Sequence, residues 1–214
     1  MNRFRRLALR AEDTPEQPLM IAPRAVPEDV IVWVERLHTI VDELVSPVVV
    51  AHGSRLRCRS GCHACCSDGL SVFAVEAAVI ERHHRALLDE EAPHAQGGCA
   101  FLDTAGACRI YEHRPYVCRT QGLPLRWLER DEDGAPVEAR DICPLNVDGG
   151  PALEELTAEQ CWTLGPFEER LGARQAALDG ANGEGSDGEA QRVALRSLFT
   201  ATAGDSRRRL PVVR

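Results

Sequence analysis

Apolar residues recur at intervals of three and four from Val30 to Leu44, which is the spacing of one face of an α-helix. Pro27 suits the first turn of such a helix. Pro47 is expected to end it, because proline lacks the N–H that an interior turn requires. The pattern therefore predicts a helix over residues 27–45 whose apolar face belongs to a core.

A second helix is predicted over residues 74–90, where Ala, Leu and Glu are abundant and no breaker occurs before Pro93. His83 and His84 are adjacent in it and point about 100° apart, so they are expected to face solvent rather than one metal ion. The run LSVF just before this helix is predicted to be a short strand.

Two hairpins are predicted in the middle of the chain. The arms of the first are CAFL and CRIY around the turn DTAG, and those of the second are PLRWL and PVEAR around the turn DEDG. Between the two hairpins, Pro115 can open a short helix that carries Cys118 in its first turn.

The last third of the chain is predicted to be mostly helical. A capping-box pattern from Thr157 to Gln160 predicts a helix that runs on to a break at Gly165 and Pro166. The glycine- and acid-rich stretch DGANGEGSDGE predicts a linker. The run QRVALRSLF then predicts a final amphipathic helix before the basic end RRRLPVVR.

Charge and apolar content restrict the partners and the compartment. The formal charge of −8 and the pI near 5.4 argue against nucleic acid or anionic membrane as a general partner, since both select clustered Lys and Arg. No export signal is expected, because the basic start MNRFRR is followed by the short apolar run LAL. No apolar run approaches the roughly 20 residues that span a bilayer. We therefore expect a cytoplasmic protein, in which clustered cysteines serve metals or catalysis more often than disulfides.

Four of the nine cysteines stand in the run CRSGCHACC, at positions 58, 62, 65 and 66. Spacings of two or three residues let one turn direct two sulfurs at one ion, as zinc and iron-sulfur sites require. The adjacent side chains of Cys65 and Cys66 diverge. The pair therefore indicates either that two metal centres meet here or that one polynuclear cluster does.

The later cysteines Cys99, Cys108, Cys118 and Cys143 complete a set of eight, enough for two four-thiolate sites or one larger assembly. A buried four-thiolate zinc site has a net charge of about −2 and needs cations or N–H donors around it. The start of the short helix is expected to lower the pKa of Cys118. Seven arginines are expected to supply positive charge: Arg55, Arg57, Arg59, Arg109, Arg114, Arg119 and Arg126.

Three other residues are candidates of lesser weight. Cys161 stands apart beside Trp162 and is expected to be an ordinary buried residue in a helix. His63 and His113 could each replace a thiol or hydrogen-bond to one, but a role outside the metal ligands is expected for both.

The cysteine motifs, taken in order, resemble those of the YkgJ-type cysteine-cluster family over roughly residues 55–145. The matching motifs are Cys58-x3-Cys62-x2-Cys65-Cys66, Cys-x-Phe-Leu at 99–102, Cys-x-Ile-Tyr at 108–111 and Arg114-Pro115-x-x-Cys118-Arg119. That family is described as a zinc- or iron-chelating domain with eight cysteines. The resemblance implies the metal ligands Cys58, Cys62, Cys65, Cys66, Cys99, Cys108, Cys118 and Cys143.

Several functions are compatible with this reading. Members of the family are often labelled iron-sulfur oxidoreductases, which implies a redox-active iron centre. A second reading is a non-catalytic module in which closed zinc sites replace part of the core and the surface binds another macromolecule. A third is metal storage or delivery. A lysine methylase activity is implied only because flagellin lysine N-methylases look similar in this domain, and no glycine-rich nucleotide loop accompanies it.

The expected fold is a small α+β domain in which short hairpins and loops, organised by metal, pack against the helices. A metal ion is the expected partner, together with a protein or small molecule that the sequence does not identify. The expected parts are a flexible arm over residues 1–25, a cysteine-cluster domain with flanking helices over 26–172, a flexible linker over 173–190, and a C-terminal helix with a basic tail over 191–214.

Overall fold

The computed structural model describes residues 25–59, 61–182 and 190–200. Over these ranges the chain forms the predicted α+β fold, with four α-helices, five short strands and several 3-10 turns. Most of the predicted N-terminal arm and the basic tail from residue 201 lie outside the described residues. Within them, no helix has the length and apolar character needed to cross a membrane.

Helix α1 spans Glu28–Ala51 and confirms the first predicted helix, although the predicted end at Pro47 is wrong. The helix continues for one more turn, on which Val48 is buried, as is Val45 just before Pro47. Their packing offsets the hydrogen bond that Pro47 cannot donate. Leu44, which was predicted for the buried face, is 52% exposed, and Val45 takes its place in the core.

Helix α2 spans Ala74–Glu90, as predicted, and packs against α1. A buried pair joins the two helices, because Nε2 of His38 lies 3.1 Å from Oε1 of Glu76. The helix is kinked at His84, whose φ of −127° and ψ of 26° are not helical.

A two-stranded sheet lies next to α2, and it overturns the prediction of a C-terminal helix. Strand β1 (Ser71–Phe73) confirms the strand in LSVF and pairs antiparallel with Arg192–Ala194. The run QRVALRSLF therefore forms a strand and a 3-10 turn, Leu195–Leu198. The reason is that β1 offers an open edge, and Val193 pairs there with Val72 instead of turning into a helix.

The second predicted hairpin is confirmed and is extended by a third strand. Strands β2 (Leu125–Arg130) and β3 (Pro136–Asp141) are antiparallel, and β4 (Trp162–Thr163) runs parallel to β2. The helix predicted beyond Thr157 is wrong, because only a 3-10 turn, Ala158–Gln160, forms there. The N–H of Trp162 donates to the carbonyl of Pro124 at 2.8 Å, so sheet pairing takes the backbone groups that a helix would need.

Helix α4 spans Pro166–Asn182, so Pro166 begins a helix rather than breaking one. This helix includes residues 173–182, which were assigned to a flexible linker. Burial explains the difference, since Leu171, Gln175 and Asp179 recur at helical spacing and are all buried. We designate Arg192–Ala194 as strand β5, the last strand of the described chain.

The first predicted hairpin forms only as a single antiparallel bridge, between Leu102 and Cys108. Two backbone bonds flank it, from Asp103 to the carbonyl of Ala107 at 2.8 Å and from Arg109 to that of Phe101 at 2.9 Å. Helix α3 (Tyr116–Thr120) follows Pro115 and contains Cys118, as predicted.

Two apolar clusters form the core of the described residues. The first lies among α1, the start of α2, β2, β4 and α4, and includes Val34, Val41, Val79, Trp162 and Leu171. The second lies between α2 and the C-terminal segment and includes Ile80, Leu88, Phe101, Ile110 and Leu195. Cys66, Cys99 and Cys108 pack in the second cluster, so the cysteine loops are part of the core.

Candidate metal centre

The loop that follows α1 is held by one buried arginine. Arg55 is only 1% exposed, and its guanidinium donates to the carbonyls of Asn146 (Nε, 2.8 Å), Pro151 (Nη1, 3.0 Å) and Val147 (Nη2). Arg55 was expected to neutralise thiolates, but all three of these bonds go to backbone. It therefore fixes the segment after Cys143 against the segment before Cys58.

Asn146 completes this connection. Its side chain is fully buried, its Oδ1 accepts the N–H of Arg57 at 2.7 Å, and its Nδ2 donates to the carbonyl of Gly122 at 2.7 Å. The same Nδ2 lies 3.5 Å from Sγ of Cys58, and the backbone N–H of Asn146 donates to the carbonyl of Cys143 at 2.7 Å. One residue therefore contacts both the first and the last cysteine of the set of eight.

A first set of four cysteines lies together on this side of the fold. We call it the outer group: Cys58, Cys62, Cys65 and Cys143. Burial raises the pKa of Cys58, the hydrogen bond from Asn146 lowers it, and the negative charges of Cys62, Cys65 and Cys143 raise it further. These charges act on Cys58 because the three sulfurs are near it. Cys58 itself is an exposed residue, so this group borders solvent.

A second set of four cysteines lies against the second apolar cluster. We call it the inner group: Cys66, Cys99, Cys108 and Cys118. The N–H of Cys99 donates to the carbonyl of Cys66 at 2.9 Å, and Cys108 forms the bridge with Leu102. The pKa of Cys66 is raised by the thiol of Cys65, by burial and by the charges of Cys65, Cys99 and Cys118. The inner group is therefore packed in apolar surroundings, where unpaired charge is costly.

Two cysteines of the inner group lie in matching local surroundings. Burial raises the pKa of Cys99 and of Cys108, and a backbone N–H two residues later opposes that rise, from Phe101 in the first case and Ile110 in the second. The motifs Cys-x-Phe and Cys-x-Ile thus form matching turns on the two sides of the Leu102–Cys108 bridge. N–H groups directed at sulfur are the donors that a metal thiolate requires.

Cys118 lies in α3, and the expected lowering of its pKa is wrong. Burial raises the pKa of this thiol to about 12, and the charges of Cys99, Cys108, Glu76 and Cys65 add to the effect. The five residues of α3 are too few for a strong helix dipole, so burial dominates. Only a bound cation would keep this sulfur ionised near neutral pH.

Cys65 and Cys66 join the two groups. The interaction between their two side chains lowers the pKa of Cys65 to about 6 and raises that of Cys66. Cys65 also acts electrostatically on Cys58 of the outer group and on Cys118 of the inner group. The adjacent residues Cys65 and Cys66 thus belong to two different, neighbouring groups.

The positive charge near the inner group comes partly from a residue that the sequence analysis missed. The charges of Arg196 and Arg109 lower the pKa of Cys99, and those of Arg114 and Arg109 lower that of Cys108. Arg196 donates to Asp68 Oδ1 at 2.8 Å and to the carbonyls of His94 at 2.6 Å and Gly98 at 2.9 Å. It lies far along the chain from every motif, so spacing could not reveal it.

Other predicted cations have different partners. Arg119 is buried and binds Asp42 of α1 and the carbonyl of Glu112. Arg126 pairs with Glu138 at 3.2 Å across the β2–β3 hairpin. These two arginines therefore hold elements together through carboxylates and a backbone carbonyl.

The remaining candidates lie outside both groups. Cys161 is buried as expected, but it lies between a 3-10 turn and β4 rather than in a helix. His63 is exposed, and its Nδ1 lies 3.0 Å from the carbonyl of Gly61. His113 contacts histidines instead: its ring stacks on His83 at 3.8 Å, and its Nδ1 lies 3.0 Å from Nε2 of His84. His83 is exposed, as expected, although it also stacks on His113, whereas His84 is half-buried against His113 and does not simply face solvent.

The donor set fits zinc or iron in number and in chemistry. Eight thiols in two groups, with N–H donors near Cys58, Cys99 and Cys108, are what two four-thiolate centres require. In their present positions, no three Cys, His, Asp or Glu side chains of the described ranges converge closely enough to hold an ion. Bringing the four sulfurs of either group around one ion would therefore need movement of the loops that carry them.

Comparison with known proteins gives one family match. Residues 57–143 match the CxxCxxCC family model, described as a "putative zinc- or iron-chelating domain". The match begins just before Cys58 and ends at Cys143, so it contains all eight cysteines of the two groups. No curated protein and no solved structure gives a significant match. Residues 57–143, about two fifths of the chain, are therefore similar to the CxxCxxCC domain, and a zinc or iron ion is the partner that this similarity indicates.

Proposed function

We propose that the protein chelates metal through eight cysteine thiolates arranged as two four-thiolate centres. The outer group would hold one centre and the inner group the other, and they would meet at Cys65 and Cys66. The observation that carries the proposal is the division of the cysteines. Asn146 contacts both Cys58 and Cys143 of the outer group, whereas the N–H of Cys99 donates to the carbonyl of Cys66 within the inner group. The charges that raise the pKa of Cys58 come from Cys62, Cys65 and Cys143, and those of cysteines that raise the pKa of Cys118 come from Cys99, Cys108 and Cys65.

The surroundings of the two groups support different roles. The inner group packs in the second apolar cluster, so metal bound there would stabilise the junction between α2 and the C-terminal segment. The outer group borders solvent at Cys58 and lies near the exposed apolar residues Leu145 and Val147. A centre at this position would be accessible to a partner molecule.

The metal would be zinc or iron, and the two choices lead to different functions. With zinc, closed four-thiolate sites leave no open position for substrate, which favours a structural domain that binds another macromolecule. An iron-sulfur centre would supply one-electron redox chemistry, and this second candidate is favoured by the N–H donors to Cys99 and Cys108 and by the solvent-facing outer group. A lysine methylase activity rests on the family resemblance alone.

The test is metal analysis on the anaerobically purified protein, with one cysteine removed from each group. We expect two zinc ions, or two iron-sulfur clusters with acid-labile sulfide and absorbance near ~400 nm, per chain. Cys143→Ser should lose the metal of one centre, and Cys118→Ser that of the other. Cys161→Ala is the matched control, because Cys161 is buried but belongs to neither group.

The outcomes separate the possibilities clearly. Equal loss of all metal from both serine variants would indicate one polynuclear site and contradict the division into two centres. Full metal content in both serine variants would contradict chelation by these groups altogether. Colourless protein that contains zinc would favour the structural role, and iron with sulfide would favour the redox role.

A further inference from the structure

We infer that Asn146 is a positioning residue of the outer centre, where its side-chain amide donates a hydrogen bond to the sulfur of Cys58. This inference rests on the proposed function, since it assumes that the outer group holds metal. Asn146 follows Cys143 by three residues, and nothing in the cysteine motifs marks it. It contacts both the first and the last of the eight cysteines.

The orientation of the amide is fixed by its other partners. Oδ1 must accept the backbone N–H of Arg57 at 2.7 Å, and Nδ2 must donate to the carbonyl of Gly122 at 2.7 Å. A flipped amide would place donor against donor and acceptor against acceptor. The second hydrogen of Nδ2 is therefore available to the sulfur of Cys58, 3.5 Å away.

The sulfur is also closely approached by the backbone of Gly122, which accepts the hydrogen bond from the same amide. A Cβ on Gly122 would lie 2.7 Å from Sγ of Cys58, well inside van der Waals contact. Gly122 has a φ of +91°, so its backbone and its missing side chain both make this close approach feasible. Cys58 is an exposed residue, yet its sulfur packs against both Asn146 and Gly122.

The arrangement is braced by the protein and does not depend on a surface side chain. Asn146 is 0% exposed and Arg55 is 1% exposed, and Nε of Arg55 donates to the carbonyl of Asn146 at 2.8 Å. A donor held in this way loses little conformational entropy when the sulfur becomes charged. Hydrogen bonds to ligating sulfur stabilise the thiolate and tune the bound metal, and their loss costs about 10- to 100-fold in metal affinity.

The experiment compares two buried amides that are changed in the same way. Asn146→Asp keeps the Oδ1 acceptor and removes the Nδ2 donor to Cys58 and to the carbonyl of Gly122. Gln175→Glu is the control, because Gln175 is also 0% exposed and bonds only within the α2–α4 region, to Val75 and Asp179. Zinc-loaded proteins are challenged with a chromophoric chelator, and release from the outer and inner centres is followed separately in Cys118→Ser and Cys143→Ser backgrounds.

We expect Asn146→Asp to lower the zinc affinity of the outer centre by about 10- to 100-fold. The zinc affinity of the inner centre should stay within about threefold of that of the parent protein. Gln175→Glu should destabilise the fold without this selectivity. Unchanged release from the outer centre of Asn146→Asp, or equal weakening of both centres, would overturn the role of Asn146. If the parent protein shows no outer centre at all, the proposed function fails instead.

A measurement on the unaltered sequence guards against a variant that does not fold. Cadmium is loaded in place of zinc, and a proton–cadmium correlation spectrum is recorded, in which a hydrogen bond to ligating sulfur transmits scalar coupling. The side-chain amide protons of Asn146 should show coupling to the cadmium of the outer centre. Its absence, with coupling from Phe101 or Ile110 to the inner centre present, would overturn the inference.

Discussion

At the scale of single residues, the space around one sulfur depends on a glycine that is distant in sequence. Gly122 lies at the end of the turn after α3, and its φ of +91° is in the left-handed region. The residue is therefore required for two reasons: the backbone conformation and the 2.7 Å approach to Sγ of Cys58. The two reasons can be separated, because other glycines of the chain have a positive φ without a close contact at the position of a Cβ.

We expect Gly122→Ala to destabilise the protein by about 1–3 kcal/mol from backbone strain and to lower the metal content of the outer centre as well. Gly134→Ala is the matched control, since Gly134 has a φ of +81° but has no heavy atom near the position of an added Cβ. Urea unfolding and metal analysis of both variants check this prediction. If the two variants lose equal stability and keep equal metal, the contact with Cys58 does not matter.

At the scale of elements, a buried carboxylate connects three helices near the inner group. Oε1 of Glu76 in α2 accepts the backbone N–H of Tyr116 at 2.7 Å and lies 3.1 Å from Nε2 of His38 in α1. Glu76 is 4% exposed, so both contacts are shielded from water. Because Tyr116 is the first residue of α3, Glu76 helps to place the helix that carries Cys118.

Removal of this carboxylate should be costly. We expect Glu76→Ala to destabilise the fold by at least about 1–3 kcal/mol, because a buried N–H and an imidazole lose their partner. Glu81→Ala on the same helix should change stability by less than about 0.5 kcal/mol, since Glu81 forms an exposed pair with Arg85. Denaturant unfolding of both variants tests the difference. Equal effects would show that the Glu76 contacts contribute little.

Three histidines, His83, His84 and His113, connect α1, α2 and the turn before α3. His83 lies 2.7 Å from Oε1 of Glu35, His84 lies 3.0 Å from His113, and the rings of His83 and His113 stack. The kink of α2 falls at His84, at the point of this contact. A hydrogen bond between two imidazoles requires that one of the facing nitrogens be unprotonated, so this junction depends on pH.

We expect stability to fall as the pH drops through and below about 6.5. Burial first, and then the charges of neighbouring histidines, lower the pKa of His84 and of His113. The charges of Glu112 and Glu35 raise the pKa of His113, and that of Arg119 lowers it further. The unfolded chain therefore binds more protons than the folded protein in this range, which makes acid destabilising.

Thermal unfolding between pH 8 and pH 5 tests the sign of this effect. The double variant His84→Gln, His113→Gln should lose much of the pH dependence, because glutamine does not titrate. His94→Gln is a suitable control, since His94 lies outside this junction. Stability that rises as the pH falls, or an unchanged profile in the double variant, would contradict the assignment.

At the scale of the whole molecule, the two apolar clusters found in the described ranges are linked by loops that carry the cysteines. The second cluster contains Cys66, Cys99 and Cys108, and the C-terminal segment closes over it through Leu195 and Leu198. Thiols of raised pKa occupy this core, so the metal-free state keeps protons on sulfur where the loaded state would have metal. The stability of the fold should therefore be linked to metal.

Metal removal is expected to lower the melting temperature of the full chain. Binding to the folded state stabilises it by about 4 kcal/mol when free metal is 1,000-fold above Kd. Calorimetry with and without a strong chelator, followed by zinc or reconstituted iron and sulfide, measures the change and its reversal. A melting temperature that is insensitive to chelator would contradict a role of metal in stability.

The sequence by itself determined the features that depend on local order. Helical spacing of apolar residues predicted α1 and α2, turn residues predicted the β2–β3 hairpin, and cysteine spacing predicted the family, because each signal is contained in a short stretch. The tertiary structure alone decided which distant groups meet. QRVALRSLF became a strand because β1 had an open edge, and Arg196 and Asn146 reached the cysteines from segments with no motif. The division of eight cysteines into two groups is likewise a property of chain folding in space, since spacing along the sequence does not specify which sulfurs become neighbours.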